Sequence, residues 1–258
     1  MIYPEYTTSL GARYKKPEES IINLIQRYNL EYNSLRLPHT VDSIYGFSEA
    51  CPLYGGRPYQ REELSLEDIR TMYDLGIAYR IPIQAYNVTN EVYKESIPFL
   101  NKHHREGNVL IIQDDALAEK IRNDFPNYKI EASIIKRLST IEEMVQALKL
   151  YDTIIPHQKS FDTTIDKTKL SYELIKSLRI YLCHGCIYNC DSYICYPTFS
   201  KLNKKGMITT STQQRGVSCQ RGENPREREI TIEKYLALGI TQFKMSLFNR
   251  KGSPHLRT

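Results

Sequence analysis

Asn108-Val109-Leu110-Ile111-Ile112-Gln113, followed by Asp115 to Asp124 and then by Tyr128 to Ser133, is the stretch that decides the fold. The first run is almost wholly apolar, as a strand buried on both faces must be. The second has a helical pattern that ends before Pro126, and the third returns to a strand. Strand, helix and strand in this order form the unit of a parallel sheet, because parallel neighbours need a crossover connection.

The same rhythm extends in both directions. Towards the C-terminus, Thr140 opens a helix with Ile141, Met144, Ala147 and Leu148 on one face. A short strand follows at Asp152 to Ile155, a helix at Lys167 to Ser177 and a strand at Leu178 to Cys183. Towards the N-terminus, a strand at Ala78 to Tyr86 feeds a helix at Asn90 to His103, closed by Gly107. Ser65-Leu66-Glu67-Asp68 is a capping box with Asp68 in the usual Glu place, and its helix stops at Gly76. Cys51 to Glu62 is a Gly/Pro-rich loop, Val41 to Phe47 a strand, and Glu18 to Tyr28 a helix striped with Ile21, Ile22, Leu24 and Ile25. Near the other end, Ile232 to Leu238 is helical, Gly239 stops it, and Thr241 to Ser246 is the last strand.

This alternation predicts an α/β fold, a TIM-like (β/α) barrel forming one domain over residues 1–258. About seven strands are legible, so the barrel is incomplete or hides an eighth strand near the N-terminus. An open doubly wound sheet fits the same alternation, but no Gly-x-Gly-x-x-Gly follows the first strand. Residues 183–229 break the rhythm as a Cys-rich insertion after a late strand.

Composition sets limits. Of 258 residues, 41% are hydrophobic, which excludes a disordered chain and supports a sizeable core. The formal charge of +5 permits an anionic partner without demanding one. No apolar run approaches the roughly 20 residues of a membrane helix, and Met1 to Tyr14 lacks a signal pattern. The expected location is the cytoplasm, with no membrane partner. Thiols there stay reduced, so the 6 cysteines suggest metal binding or catalysis ahead of disulfides.

Cys183, Cys186, Cys190 and Cys195 fall within thirteen residues, and Cys219 lies in the same irregular stretch. Thiolates so close together repel unless a cation neutralises them. Only Cys183 and Cys186 have the Cys-x-x-Cys spacing of a zinc knuckle, and a four-cysteine iron–sulfur cubane tolerates irregular spacing better. A 4Fe-4S cluster is the expectation, with zinc as the alternative. Cys51, in the loop after an early strand, could reach the same face.

Strand ends direct attention to Gln84, Asn87, Asp114, Asp115, Ser133, His157, His184 and Lys244. Lys244 lies inside an otherwise apolar strand, so it must face a cavity or a partner. It would hold a small anionic substrate with Arg57 or Arg250, the alternative being an internal salt bridge. Asp115 reads as a helix cap or a strand-end site residue, Asp114 as a pocket carboxylate or a solvated loop carboxylate, and His157 as a pocket or exposed loop histidine. Lys201, Lys204, Lys205, Arg215, Arg221, Arg226 and Arg228 surround Cys219, which allows an RNA surface or a solvated loop. No Gly-x-Ser-x-Gly elbow or His-Glu-x-x-His appears.

Three groups of residues resemble the U-32 peptidase family, the collagenase-like proteins. They are Tyr45-Gly46 with Gly55-Gly56-Arg57 and the Ser65 helix start; Asp152 to Pro156 with Leu178 to Tyr181, Gly185-Cys186 and Cys190; and Tyr235, Gly239-Ile240, Phe243-Lys244 and Arg250. The resemblance covers roughly Val41 to Arg250. It implies a TIM-like barrel with a four-cysteine iron–sulfur cluster, here Cys186, Cys190, Cys195 and Cys219 with Cys183 as the alternate. It also implies oxygen-independent hydroxylation of ubiquinone precursors or RNA, with prephenate as oxygen donor in the RNA-modifying members. Heterodimers occur in that family, so a homo- or heterodimer, or a non-catalytic partner subunit, is a second expectation, and a peptidase a third. The cysteine spacing here is the chain's own.

Overall fold

Eight parallel strands alternate with helices in the computed structural model, which describes residues 4–32, 39–182, 196–206 and 232–246. The strands are β1 (Tyr6–Gly11), β2 (His39–Tyr45), β3 (Ala78–Ile81), β4 (Val109–Ile112), β5 (Lys129–Ala132), β6 (Thr153–Ile154), β7 (Ile180–Tyr181) and β8 (Gln242–Ser246). The helices among the described residues are α1 (Ile21–Tyr32), α2 (Leu66–Asp74), α3 (Asn90–Lys102), α4 (Asp115–Asp124), α5 (Ile141–Ala147), α6 (Gln158–Thr163), α7 (Tyr172–Ser177), α8 (Tyr196–Lys204) and α9 (Glu233–Leu236).

The hydrogen-bonded order is β6-β5-β4-β3-β2-β1-β8-β7, with every pair parallel. Sequence neighbours are therefore sheet neighbours, the strand order of a TIM-like barrel. The two ends of this order meet at one parallel bridge between Ile154 and Leu178, where the Arg179 amide donates to the Ile154 carbonyl at 2.9 Å. That seam is the thinnest part of the ring.

β1 is the eighth strand, near the N-terminus, beyond the seven legible in the sequence. Its inward positions explain why it escapes the pattern. Ser9 pairs in register with Lys244, and Gly11 with Tyr45, so small residues face a crowded interior. A Cβ on Gly11 would sit 2.8 Å from the Tyr45 hydroxyl. The strand therefore carries little of the apolar signal that marks its partners.

The core lies between the sheet's outer face and the helices. Leu10, Ile44, Tyr79, Leu110, Ile112, Ile130, Ile154 and Phe243 are buried from the strands, and Leu24, Met72, Leu100, Ile121, Met144, Phe161 and Leu174 from the helices. Each large apolar side chain buried this way contributes about 1.5–3 kcal/mol. The helix starts are fixed locally. Ser65 Oγ accepts from the Asp68 amide at 3.1 Å while Asp68 accepts from the Ser65 amide at 2.8 Å, the reciprocal box expected from the sequence. Thr140 and Glu143 form a second box on α5. Among the described residues no helix is long and apolar enough to cross a membrane.

Candidate functional site

Charged residues inside apolar strands have nowhere to go but the barrel interior, and here they find one another. Glu131 on β5 is fully buried and accepts from Lys244 Nζ at 2.7 Å and from Arg80 Nη1 at 2.5 Å. Arg179, one residue before β7, brings its Nε to 3.7 Å from the same carboxylate. Its Nη2 donates to Asp42 at 2.8 Å and to Gln242 at 3.0 Å. Asp42 sits where the β1–β2 register shifts, and Arg80 Nε donates to its neighbour Ser43 at 2.7 Å. Three cations and two carboxylates thus share one buried cluster.

Burial opposes every one of these charges, and the neighbours decide the outcome. Burial would raise the Asp42 carboxyl, but Arg179 outweighs it and holds the pKa at about 2. Glu131 is likewise held low, burial being overcome by Lys244, Arg80 and Arg179. Burial, with repulsion from Arg179, brings Arg80 down to about 10, still charged at neutral pH. Lys244 falls to about 8, because burial and the two guanidiniums outweigh Glu131.

Above this cluster, at the C-terminal ends of the strands, a pocket encloses about 90 Å³. Lys244 forms part of its lining, with Tyr45, Tyr181, Tyr196, Arg57, Gln84 and Ser133. Lys244 Nζ lies 4.5 Å from the centre of the Tyr45 ring. Lys244 thus makes an internal salt bridge and also lines a cavity.

The Gly55-Gly56-Arg57 loop forms one wall. A Cβ at Gly55 would collide with the Gln84 carbonyl, so only glycine lets this loop approach the end of β3. Gly56 adopts φ +75°, the left-handed region. Arg57 forms a two-pronged ion pair with Glu63 and stacks 3.9 Å over the Phe47 ring. Burial works against its charge, yet Glu63 prevails and raises its pKa. Helix α8 holds the loop from outside. Asn203 accepts from the Tyr59 amide at 2.8 Å and donates to the Tyr54 and Arg57 carbonyls at 3.1 and 3.0 Å. Ser200 accepts from the Tyr86 amide at 2.9 Å, tying the loop after β3 to the same helix.

Of the residues singled out from sequence, Lys244 and Arg57 come together at the pocket. Asp114 does not join them: its side chain accepts from the Leu117 amide at 3.0 Å as the N-cap of α4. The capping role expected of Asp115 thus belongs to Asp114, because Asp115 pairs with Lys136 and the Tyr151 hydroxyl, each at 2.7 Å. His157 precedes α6, is buried, and lies 2.7 Å from Ser160 Oγ, away from the pocket lining. Cys51 is buried outside the lining, and burial pushes its thiol up to about 12, so it is no nucleophile. Cys183, Cys186, Cys190, Cys195, Cys219, His184 and Arg250 lie outside the described residues. So do Arg215, Arg221, Arg226 and Arg228, while Lys204 is committed to the Tyr86 and Asn87 carbonyls.

Asp42, Arg80, Glu131 and Arg179 were missed in the sequence. The signal that marked Lys244, a charge within an apolar strand run, is present at Arg80, Glu131 and Arg179 as well. Chemically, the pocket offers cationic and phenolic groups and no described histidine or cysteine. Anion binding and proton donation are within its means; a nucleophile–base pair of the hydrolase kind is not assembled among the described residues.

The fold is that of a solved structure, the U32 peptidase Mk0906, which matches with a TM-score of 0.63 over 96% of this chain and 94% of that one at 11% identity. No protein-family profile matches the chain. No curated protein matches it by sequence.

Proposed function

We propose, from the fold shared with that U32 peptidase and the chemistry of the pocket, that the chain is an iron–sulfur enzyme acting on a small anionic substrate at the C-terminal ends of its strands. Oxygen-independent hydroxylation, or a related modification, is the reaction that goes with this reading. One observation carries it: Tyr181 and Tyr196, which flank the cysteine-bearing residues 183–195 in the sequence, both line the pocket. The donor set suits the group, since five soft thiols in residues 183–219 match iron–sulfur chemistry better than that of any hard cation.

Cys186, Cys190, Cys195 and Cys219 would hold the cluster, with Cys183 in reserve, and the cluster would supply one-electron redox chemistry beside the substrate. The chain's own residues do the rest. Lys244 and Arg57 attract and orient an anion, and the three tyrosines with Ile135 and Ile155 keep water out. Reduced thiols of this kind belong in the cytoplasm.

The test is iron and sulfide content after anaerobic purification, in the natural chain and in Cys186→Ala and Cys190→Ala. About four irons and four sulfides per chain, lost in the variants, are expected for a cubane. Zinc alone, or metal content indifferent to both substitutions, would sink the proposal.

A further inference from the structure

We propose that Lys244 is a covalent anchor: its amine condenses with the carbonyl carbon of a small 2-oxo acid or aldehyde to form an imine in the pocket. This rests on the reading of the pocket as an anion site and names the substrate class it would take.

Charge counting is the first support. The guanidiniums of Arg80 and Arg179 stay protonated at neutral pH. They balance the carboxylates of Asp42 and Glu131, to which they are bonded. Among the described residues the remaining formal charges facing this region cancel, because Arg57 is neutralised by Glu63. The phenols of Tyr45 and Tyr181 are uncharged at neutral pH. Among the described residues the proton on Lys244 is therefore the uncompensated charge of the cluster, and losing it leaves those residues neutral together.

Geometry is the second support. A neutral amine still donates one N–H to Glu131 Oε1, 2.7 Å away, which fixes the nitrogen on the barrel side. Lys244 lines the pocket, and its nitrogen lies 4.5 Å from the centre of the ring of Tyr45, another lining residue. Arg57, whose two Nη atoms pair with Glu63, and Gln84 line the facing loops, where the carboxylate of a 2-oxo acid would lie across from the amine. With its pKa brought down to about 8, Lys244 is free base in about a tenth of molecules at pH 7. A desolvated lysine of this kind is what imine formation requires.

The step balances. The nitrogen lone pair adds to the carbonyl carbon, the carbonyl π pair becomes a hydroxyl after taking a proton from the nitrogen, and the hydroxyl then leaves as water with the second N–H proton. Amine and carbonyl give imine and water, with no change in oxidation state.

The test uses the full chain with pyruvate as the probe, borohydride to reduce any imine to a stable secondary amine, and peptide mapping. The expected result is an adduct concentrated on Lys244 over exposed lysines such as Lys16 and Lys94, with a yield that climbs as pH approaches about 8. Lys244→Arg, which keeps the charge and the bond to Glu131, should abolish it. Equal labelling of Lys244 and the exposed lysines overturns the imine, and this readout needs only the natural chain. Lactate, which lacks the carbonyl, separates the two layers of the argument. A thermal shift with lactate but no Lys244 adduct with pyruvate overturns the imine and keeps the anion site. No shift with lactate and no adduct overturns both.

Discussion

Glu131 holds the barrel interior together, because three cations, on β3, on β8 and just before β7, converge on one carboxylate. Removing its charge leaves those cations with Asp42 alone, so Glu131→Gln is expected to destabilise the fold by about 3–5 kcal/mol. Lys244→Met should cost far less, since two guanidiniums and two carboxylates remain. Urea unfolding of both variants measures the asymmetry, and equal losses would contradict the charge count. The pH dependence follows from the same residues. Asp42 has a folded pKa of about 2 against an ordinary 3.8, so it contributes stability that is present above about pH 4 and lost as pH falls towards 2. Lys244 has the opposite sign. Its folded pKa of about 8 lies below the ordinary 10.5, so the unfolded chain binds more protons between those values. The stability of the natural chain relative to Lys244→Met should therefore rise over that window.

Among the elements, α8 has the clearest effect on the site. It stands outside the barrel, yet through Asn203 it satisfies three backbone groups of the loop that presents Arg57. Asn203→Ala leaves these groups to find other partners, at about 1–3 kcal/mol for each one left buried and unsatisfied. Faster hydrogen exchange at the Tyr59 amide, with the exchange of the β4 amides unchanged, is the expected result. A general acceleration would mean that α8 supports the whole fold and not the loop in particular. At α2, Ser65→Ala removes one half of a capping box and should cost about 1 kcal/mol in urea unfolding without altering the pocket.

Over the whole molecule, the ring is uneven. β4 and β5 pair over four residues, whereas β6 meets the residues just before β7 at a single bridge, Ile154 to Leu178. Opening at that seam breaks the fewest ladder hydrogen bonds. The Arg179 amide, bonded to Ile154, is thus expected to exchange sooner than the amides of β4 and β5. Exchange at one common rate would indicate that the barrel opens only as a unit.

The α/β class was legible because it rests on local periodicity: the run at Val109 to Ile112 and the stripes on α1 and α5 need no knowledge of the rest of the chain. Ser65 and Thr140 were legible as helix starts for the same reason, since a cap bonds to an amide three residues away. β1 was not, because Thr7, Ser9 and Gly11 are chosen for the crowded interior they face. Asp114 and Asp115 could not be told apart from sequence, as a shift of one residue decides which oxygen meets the helix amides. The ion cluster depended on tertiary structure most of all. Glu131 and Lys244 are 113 residues apart and meet only because the strands close side by side around one axis. The sequence alone determined that Lys244 had to face a cavity or a partner. Only the tertiary structure decided that it does both, because burying a charge obliges the fold to supply a counter-charge but does not dictate from which strand.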